Sequence, residues 1–288
     1  MNPKRGFSLI ELLVVIAIIA TIAAIILPVF SQAKLRAHQY AWIDSARKVN
    51  LAVQIYTDDY DGYAMLARQN TEESAHSGND RTWVQSLMPY TRGIEQFFCP
   101  IDSTRPSQLS LMDPDLTPND PSARYYQLSQ RSNFGYNYAY FSPIFRQGAS
   151  WTIDPRSSSS IQAPSETLIF GESAWEVKNG VPSGGGNYLI RPPCRFVSVS
   201  EQVIDSFGLP GKNNNQLYLG GDVWTTKHEP WQSVSGGLFP WFKTKITIAF
   251  ADGHVKAMNP KSIRNGCDVR PEWSGFIFDL KSYIWDLN

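Results

Sequence analysis

Phe7-Ser8-Leu9-Ile10-Glu11-Leu12-Leu13-Val14-Val15-Ile16-Ala17-Ile18-Ile19-Ala20-Thr21-Ile22-Ala23-Ala24-Ile25-Ile26-Leu27-Pro28-Val29-Phe30 is a run of 24 residues with a single charge, Glu11. As a helix rising about 1.5 Å per residue it would be about 36 Å long. That is enough to cross a hydrocarbon layer of about 30 Å. Lys4 and Arg5 precede the run, which favours a cytoplasmic N-terminus. A cleaved secretory signal would have an apolar region of about 7–15 residues followed by a small-x-small site; this run is longer and continues into further helix-like sequence. A plain signal anchor accounts for the hydrophobicity but not for Glu11. A carboxylate in the middle of an apolar helix costs about 2.5–3.5 kcal/mol in lipid, so Glu11 calls for a partner.

Pro28 removes one backbone hydrogen bond inside the helix and is expected to kink or loosen it. Beyond it, residues 31–60 keep a helical pattern. Leu35, Trp42, Val49, Val53 and Tyr56 recur at spacings of three, four or seven, an amphipathic stripe that would clasp a globular head. His38 reads as a solvated surface histidine. The helix is expected to end at Asp58-Asp59-Tyr60-Asp61-Gly62, where turn formers cluster. Asp58, Asp59 and Asp61 admit a calcium reading, since hard oxygen ligands on a glycine-containing turn suit that ion. The glutamate that ends an EF-hand loop is missing, and a simple C-terminal turn explains the same residues.

The 26 basic and 26 acidic side chains give a formal net charge of zero, so bulk charge does not suggest nucleic-acid binding. Twenty glycines, 19 prolines and abundant aromatics suit a loop-rich domain with strands better than a helical bundle. Cys99, Cys194 and Cys267 contain no Cys-x-x-Cys pair, which excludes zinc ribbons, thioredoxin-type sites and haem attachment motifs. In an exported domain they would form one disulfide and leave one thiol. Cys194–Cys267 is the expected pair, because Cys99 sits in a separate motif.

Downstream, Trp83–Tyr90 reads as a short helix leading to Phe98-Cys99-Pro100-Ile101-Asp102. Phe134-Gly135-Tyr136-Asn137-Tyr138 and Ala163–Phe170 read as further ordered segments, the latter a turn into a strand. Ile246–Lys256 reads as a hairpin turning at Asp252-Gly253. Ser157–Ser160, Ser183–Gly186 and Asn213–Asn215 read as surface loops. Trp224, Trp231 and Trp241 would serve a carbohydrate-binding or subunit-contact surface if exposed, or core packing if not. His228, Asp252 and His254 are the best hydrolytic or metal cluster available. No HExxH, GxSxG or phosphate-loop pattern occurs, and neighbouring strand residues point to opposite faces. The expectation is that the chain is not an enzyme and needs no cofactor, with calcium the one candidate.

Lys4-Arg5-Gly6-Phe7-Ser8-Leu9-Ile10-Glu11 and the apolar residues that follow closely resemble the type IV prepilin signature. The resemblance implies that a membrane prepilin peptidase cuts after Gly6 and that the new N-terminus, Phe7, is methylated. It implies that Glu11 pairs with the Phe7 amine of a neighbouring subunit, and that Pro28 marks a stretch able to melt in the filament. Cleavage would also remove Lys4 and Arg5. The head segments, in this order, resemble a large pilin-like group ending in a "processing-associated" domain, whose hallmark is a histidine, nine residues and Asp-Gly. Here Asp252-Gly253 is kept, but 23 residues separate His228 from Asp252, a departure that weakens any role carried over to His228.

The expected fold is α+β, of pilin-like, lollipop shape: a long N-terminal helix and a head built on an antiparallel sheet with long loops. Residues 1–6 would be the leader, 7–30 the transmembrane or filament-core half of the helix, 31–60 its amphipathic half and 61–288 the head. The expected function is that of a structural subunit of a type IV pilus-like filament or a type II secretion-like pseudopilus. Its large head leans toward a minor or pseudopilin role. Expected partners are copies of itself, other pilins, the prepilin peptidase, the inner-membrane assembly platform and, before assembly, membrane lipid. The chain would begin as a single-pass inner-membrane protein and end in an extracellular filament or periplasmic pseudopilus. The rival reading is a membrane-anchored surface protein whose head binds carbohydrate or metal, or is a hydrolase.

Overall fold

A computed structural model of the chain describes residues 8–69, 81–103, 128–147, 150–199, 202–207, 235–270 and 274–287. It has a long N-terminal helix, α1 (Leu9–Asp59), followed by a head rich in antiparallel pairings. The helix continues unbroken through Pro28, whose missing N–H leaves the Ala24 carbonyl without its helical donor. The chain divides into two units, Met1–Ala41 and Trp42–Asn288.

In the first unit the large apolar side chains from Leu9 to Phe30 are 44–77% exposed, so no described part of the chain covers them. Leu35, placed by its spacing on the packed stripe, is exposed as well. Its period matches the stripe, but packing begins only at Trp42, in the second unit.

In the second unit α1 buries Trp42, Ala46, Val49, Ala52, Val53 and Tyr56, the i, i+3, i+4 face that helical periodicity demands. Trp42 stacks on Phe134, with ring centroids 4.0 Å apart and planes within 5°. Buried Asn50 donates from Nδ2 to the Phe250 and His254 carbonyls at 3.1 and 3.3 Å, and Gln54 donates to the Ala251 carbonyl at 3.2 Å. The helix is thereby tied to a backbone turn as well as to an apolar surface.

The strands follow in chain order: β1 (Arg68–Gln69), β2 (Arg81–Thr82), β3 (Phe134–Asn137), β4 (Ile144–Gln147), β5 (Ser150–Ile153), β6 (Leu168–Glu172), β7 (Glu176–Lys178) and β8 (Val181–Ser183). The remainder are β9 (Leu189–Ile190), β10 (Phe196–Val199), β11 (Gln202–Asp205), β12 (Ile246–Phe250), β13 (Val255–Met258), β14 (Cys267–Asp268) and β15 (Phe276–Ile277). The central sheet has the order β13-β12-β6-β3-β9, and a second sheet has the order β11-β10-β15-β14. Antiparallel pairing dominates, but β3–β9 and β10–β15 are parallel, so both sheets are mixed. β6 and β12 are buried along their whole length, as strands covered on both faces should be.

One loop expectation changes. Ser183–Gly186 is not wholly a surface loop: Gly185 and Gly186 are buried against residues 131–133. A Cβ on Gly186 would lie 2.0 Å from the Ser132 carbonyl oxygen, so any other residue would force the two segments apart. Trp241 is buried and donates its indole N–H to the Ser173 carbonyl at 2.8 Å. It belongs to the core rather than to a binding surface. Trp224, Trp231 and Asn213–Asn215 lie outside the described residues.

Candidate functional site

Gly6 and Phe7 lie outside the described residues, so the structure enters the N-terminal motif at Ser8. The Ser8 carbonyl accepts from the Leu12 N–H at 3.2 Å, and the Ser8 N–H donates to Glu11 Oε2 at 2.9 Å. Ser8 thus stands at the N-cap and Glu11 at the third helical position, where a carboxylate reaches back to satisfy the cap N–H. A negative charge there also complements the positive end of the helix dipole. Ser-x-x-Glu before an apolar run is the sequence signature of this arrangement, so the motif also encodes a local partner for Glu11. Glu11 thus holds its own helix start with Oε2, and Oε1 accepts no hydrogen bond among the described residues.

The acidic cluster at the end of α1 builds a turn. Asp61 and Gly62 both have left-handed φ values, 52° and 80°, and the Gly62 N–H donates to the Thr57 carbonyl at 2.8 Å. This is the six-to-one bond that closes a helix over a left-handed residue. Asp59 accepts from the Tyr90 hydroxyl at 2.9 Å. Among the described residues no three His, Cys, Asp or Glu side chains gather to hold a metal ion.

Asp252-Gly253 turns the β12–β13 hairpin, with Gly253 at φ 94°. Asp252 Oδ1 accepts from the His254 backbone N–H at 3.0 Å and meets His254 Nδ1 at 2.5 Å. The imidazole stacks on Phe250 at 4.3 Å. Burial pushes the Asp252 carboxyl up, but the His254 backbone and ring contacts outweigh it and hold the group below its ordinary value. The pair is half exposed and shapes the turn on which Asn50 and Gln54 dock. His228 lies outside the described residues.

Cys194 and Cys267 are joined in a disulfide, spanning 73 positions and tying the start of β10 to β14. The buried Tyr283 hydroxyl donates to the Cys194 carbonyl at 3.0 Å and accepts from its N–H at 3.2 Å. Cys99 is a buried free thiol whose pKa burial pushes far up, which makes it inert.

Comparisons with curated proteins and with solved structures return no match. A family model described as the prokaryotic N-terminal methylation motif matches residues 1–27. The match ends there and does not extend to the head, so the likeness of the head to the processing-associated group gains no support from it. One helix among the described residues, α1, is long and apolar enough to cross a membrane. The motif and the helix together support a pilin- or pseudopilin-type precursor and fit one anchored in a membrane.

Proposed function

We propose that this chain is a structural subunit of a type IV pilus-like filament or a type II secretion-like pseudopilus. In this reading a prepilin peptidase cuts after Gly6, Phe7 is methylated, and the mature helix leaves the bilayer to pack against copies of itself and other pilins on an inner-membrane platform. The observation that carries the proposal is the exposed apolar surface of α1 from Leu9 to Phe30, which carries one carboxylate, Glu11, at the start of the helix. Lipid covers such a surface before assembly, and neighbouring helices would cover it afterwards. Glu11 Oε1 would then receive the Phe7 amine of the next subunit, pairing two charges that are costly to bury alone. The Cys194–Cys267 disulfide fits a head that matures in an oxidising compartment beyond the cytoplasm. The head acts as a structural rather than a catalytic domain and requires no cofactor. Immunogold electron microscopy of cells and of sheared surface material tests the reading. Label along fibres, extracellular or confined to the envelope, is the expected result; label scattered over the membrane without fibres would contradict it.

A further inference from the structure

Glu172 ends strand β6, in the middle of the central sheet, and is 1% exposed. Among the described residues no Lys, Arg or His forms an ion pair with it. Its partners are uncharged donors from other elements. The Thr247 N–H of β12 donates to Oε1, the Trp241 N–H donates to Oε2 at 3.3 Å, and the Thr247 hydroxyl reaches the same carboxyl group. The Trp42 indole of α1 also faces it, with Nε1 buried but short of a regular hydrogen bond. Trp42 stacks on Phe134, which is the cross-strand partner of Glu172. The Cys99 thiol is close enough to feel the Glu172 charge, and burial keeps it neutral.

We propose that Glu172 is a proton-controlled latch that couples α1, through Trp42, and the 239–247 segment to the central sheet. The geometry sets two demands against each other. An ionised carboxylate accepts every N–H aimed at it, but without a cation its burial costs several kcal/mol. A protonated carboxyl is cheap to bury, but its O–H occupies a place where Trp241 or Thr247 offers a donor, so one acceptor position is lost. Gaining or losing one proton therefore changes how firmly three elements are held. Burial raises the pKa of Glu172 from 4.5 to about 7, against the lowering effect of Thr247, Trp241 and Trp42. Because the folded value lies above the unfolded one, the stability it confers is complete below pH 4.5 and is lost as pH rises through about 7. Across that window the folding equilibrium constant should fall by up to about 300-fold. The latch lies within the Trp42–Asn288 unit and stands whether or not the chain forms filaments.

The test uses the full-length protein in detergent micelles with 13C-labelled glutamate carboxyls, titrated by NMR alongside denaturant unfolding. One glutamate is expected to titrate near pH 7, to persist in a Glu11→Gln control and to vanish in Glu172→Gln. Unfolding midpoints should fall as pH rises from about 5 to about 8 in the wild type, and Glu172→Gln should lose that slope. If the Glu172→Gln protein does not fold, the wild-type and Glu11→Gln titrations decide. A wild-type protein whose glutamates all titrate near the ordinary value would overturn the proposal. So would a folded Glu172→Gln variant that keeps the wild-type slope.

Discussion

Glu11→Ala is expected to leave the chain inserted in the membrane and to reduce fibre yield about ten-fold or more. Insertion should be easier, because the substitution removes the one charge from a run that otherwise costs nothing to place in lipid. Assembly should suffer because a buried amine left without its carboxylate typically costs about 3–5 kcal/mol. The Ser8 N–H bond gives Glu11 a second role, and the two can be separated. Glutamine can still reach back to the cap N–H but carries no charge to meet the Phe7 amine. Glu11→Gln should therefore keep the helix start and still fail to assemble. Normal fibres from Glu11→Gln, with none from Glu11→Ala, would assign the residue to capping alone. Normal yield from both would remove Glu11 from assembly. Quantitative immunoblots of membrane and sheared fractions read both outcomes.

Removing the disulfide should have the largest effect on the head. Cys194 and Cys267 are 73 positions apart in sequence, and closing a loop of that size restricts the unfolded chain by about 4 kcal/mol on the chain-entropy model. Domains of this kind are stable by about 5–15 kcal/mol, so the bond accounts for a substantial share. The double variant Cys194→Ser, Cys267→Ser should unfold at clearly lower denaturant, and the wild type under reductant should follow it. Tyr283 sits fully buried on the Cys194 backbone, so the disorder should begin where β10 and β14 meet β15. Unchanged unfolding in both experiments would show that packing around Tyr283 holds this corner without the bond.

Much of the fold was legible because the decisive signals are local. Glu11 stands out as the single charge in 24 residues, Asp61-Gly62 marks the end of α1 and Asp252-Gly253 marks a hairpin, each within a few positions of the structure it forms. Ser8-x-x-Glu11 is equally local, but a carboxylate in an apolar run fits both a cap and a distant partner, and the pattern alone does not separate them. Leu35 misled because periodicity reports a face and not whether anything packs on it. The parallel pairings of β3 with β9 and of β10 with β15 depend on chain crossings that no local pattern encodes. Glu172 was invisible for the same reason. After Phe170-Gly171 it reads as the polar end of a strand, and only the arrival of Trp42, Trp241 and Thr247 from distant positions buries it. Gly186 is buried because residues 131–133 need its missing side chain, which a Gly-rich run cannot announce.

The most direct measurement is intact and N-terminal peptide mass spectrometry of the protein recovered from cells. The expected mature chain begins at Phe7, lacks residues 1–6 and carries one added methyl group on its terminal amine. A chain that keeps Met1–Gly6 in cells containing an active prepilin peptidase, or one cut beyond the apolar helix, would contradict the assignment as a processed, assembling subunit.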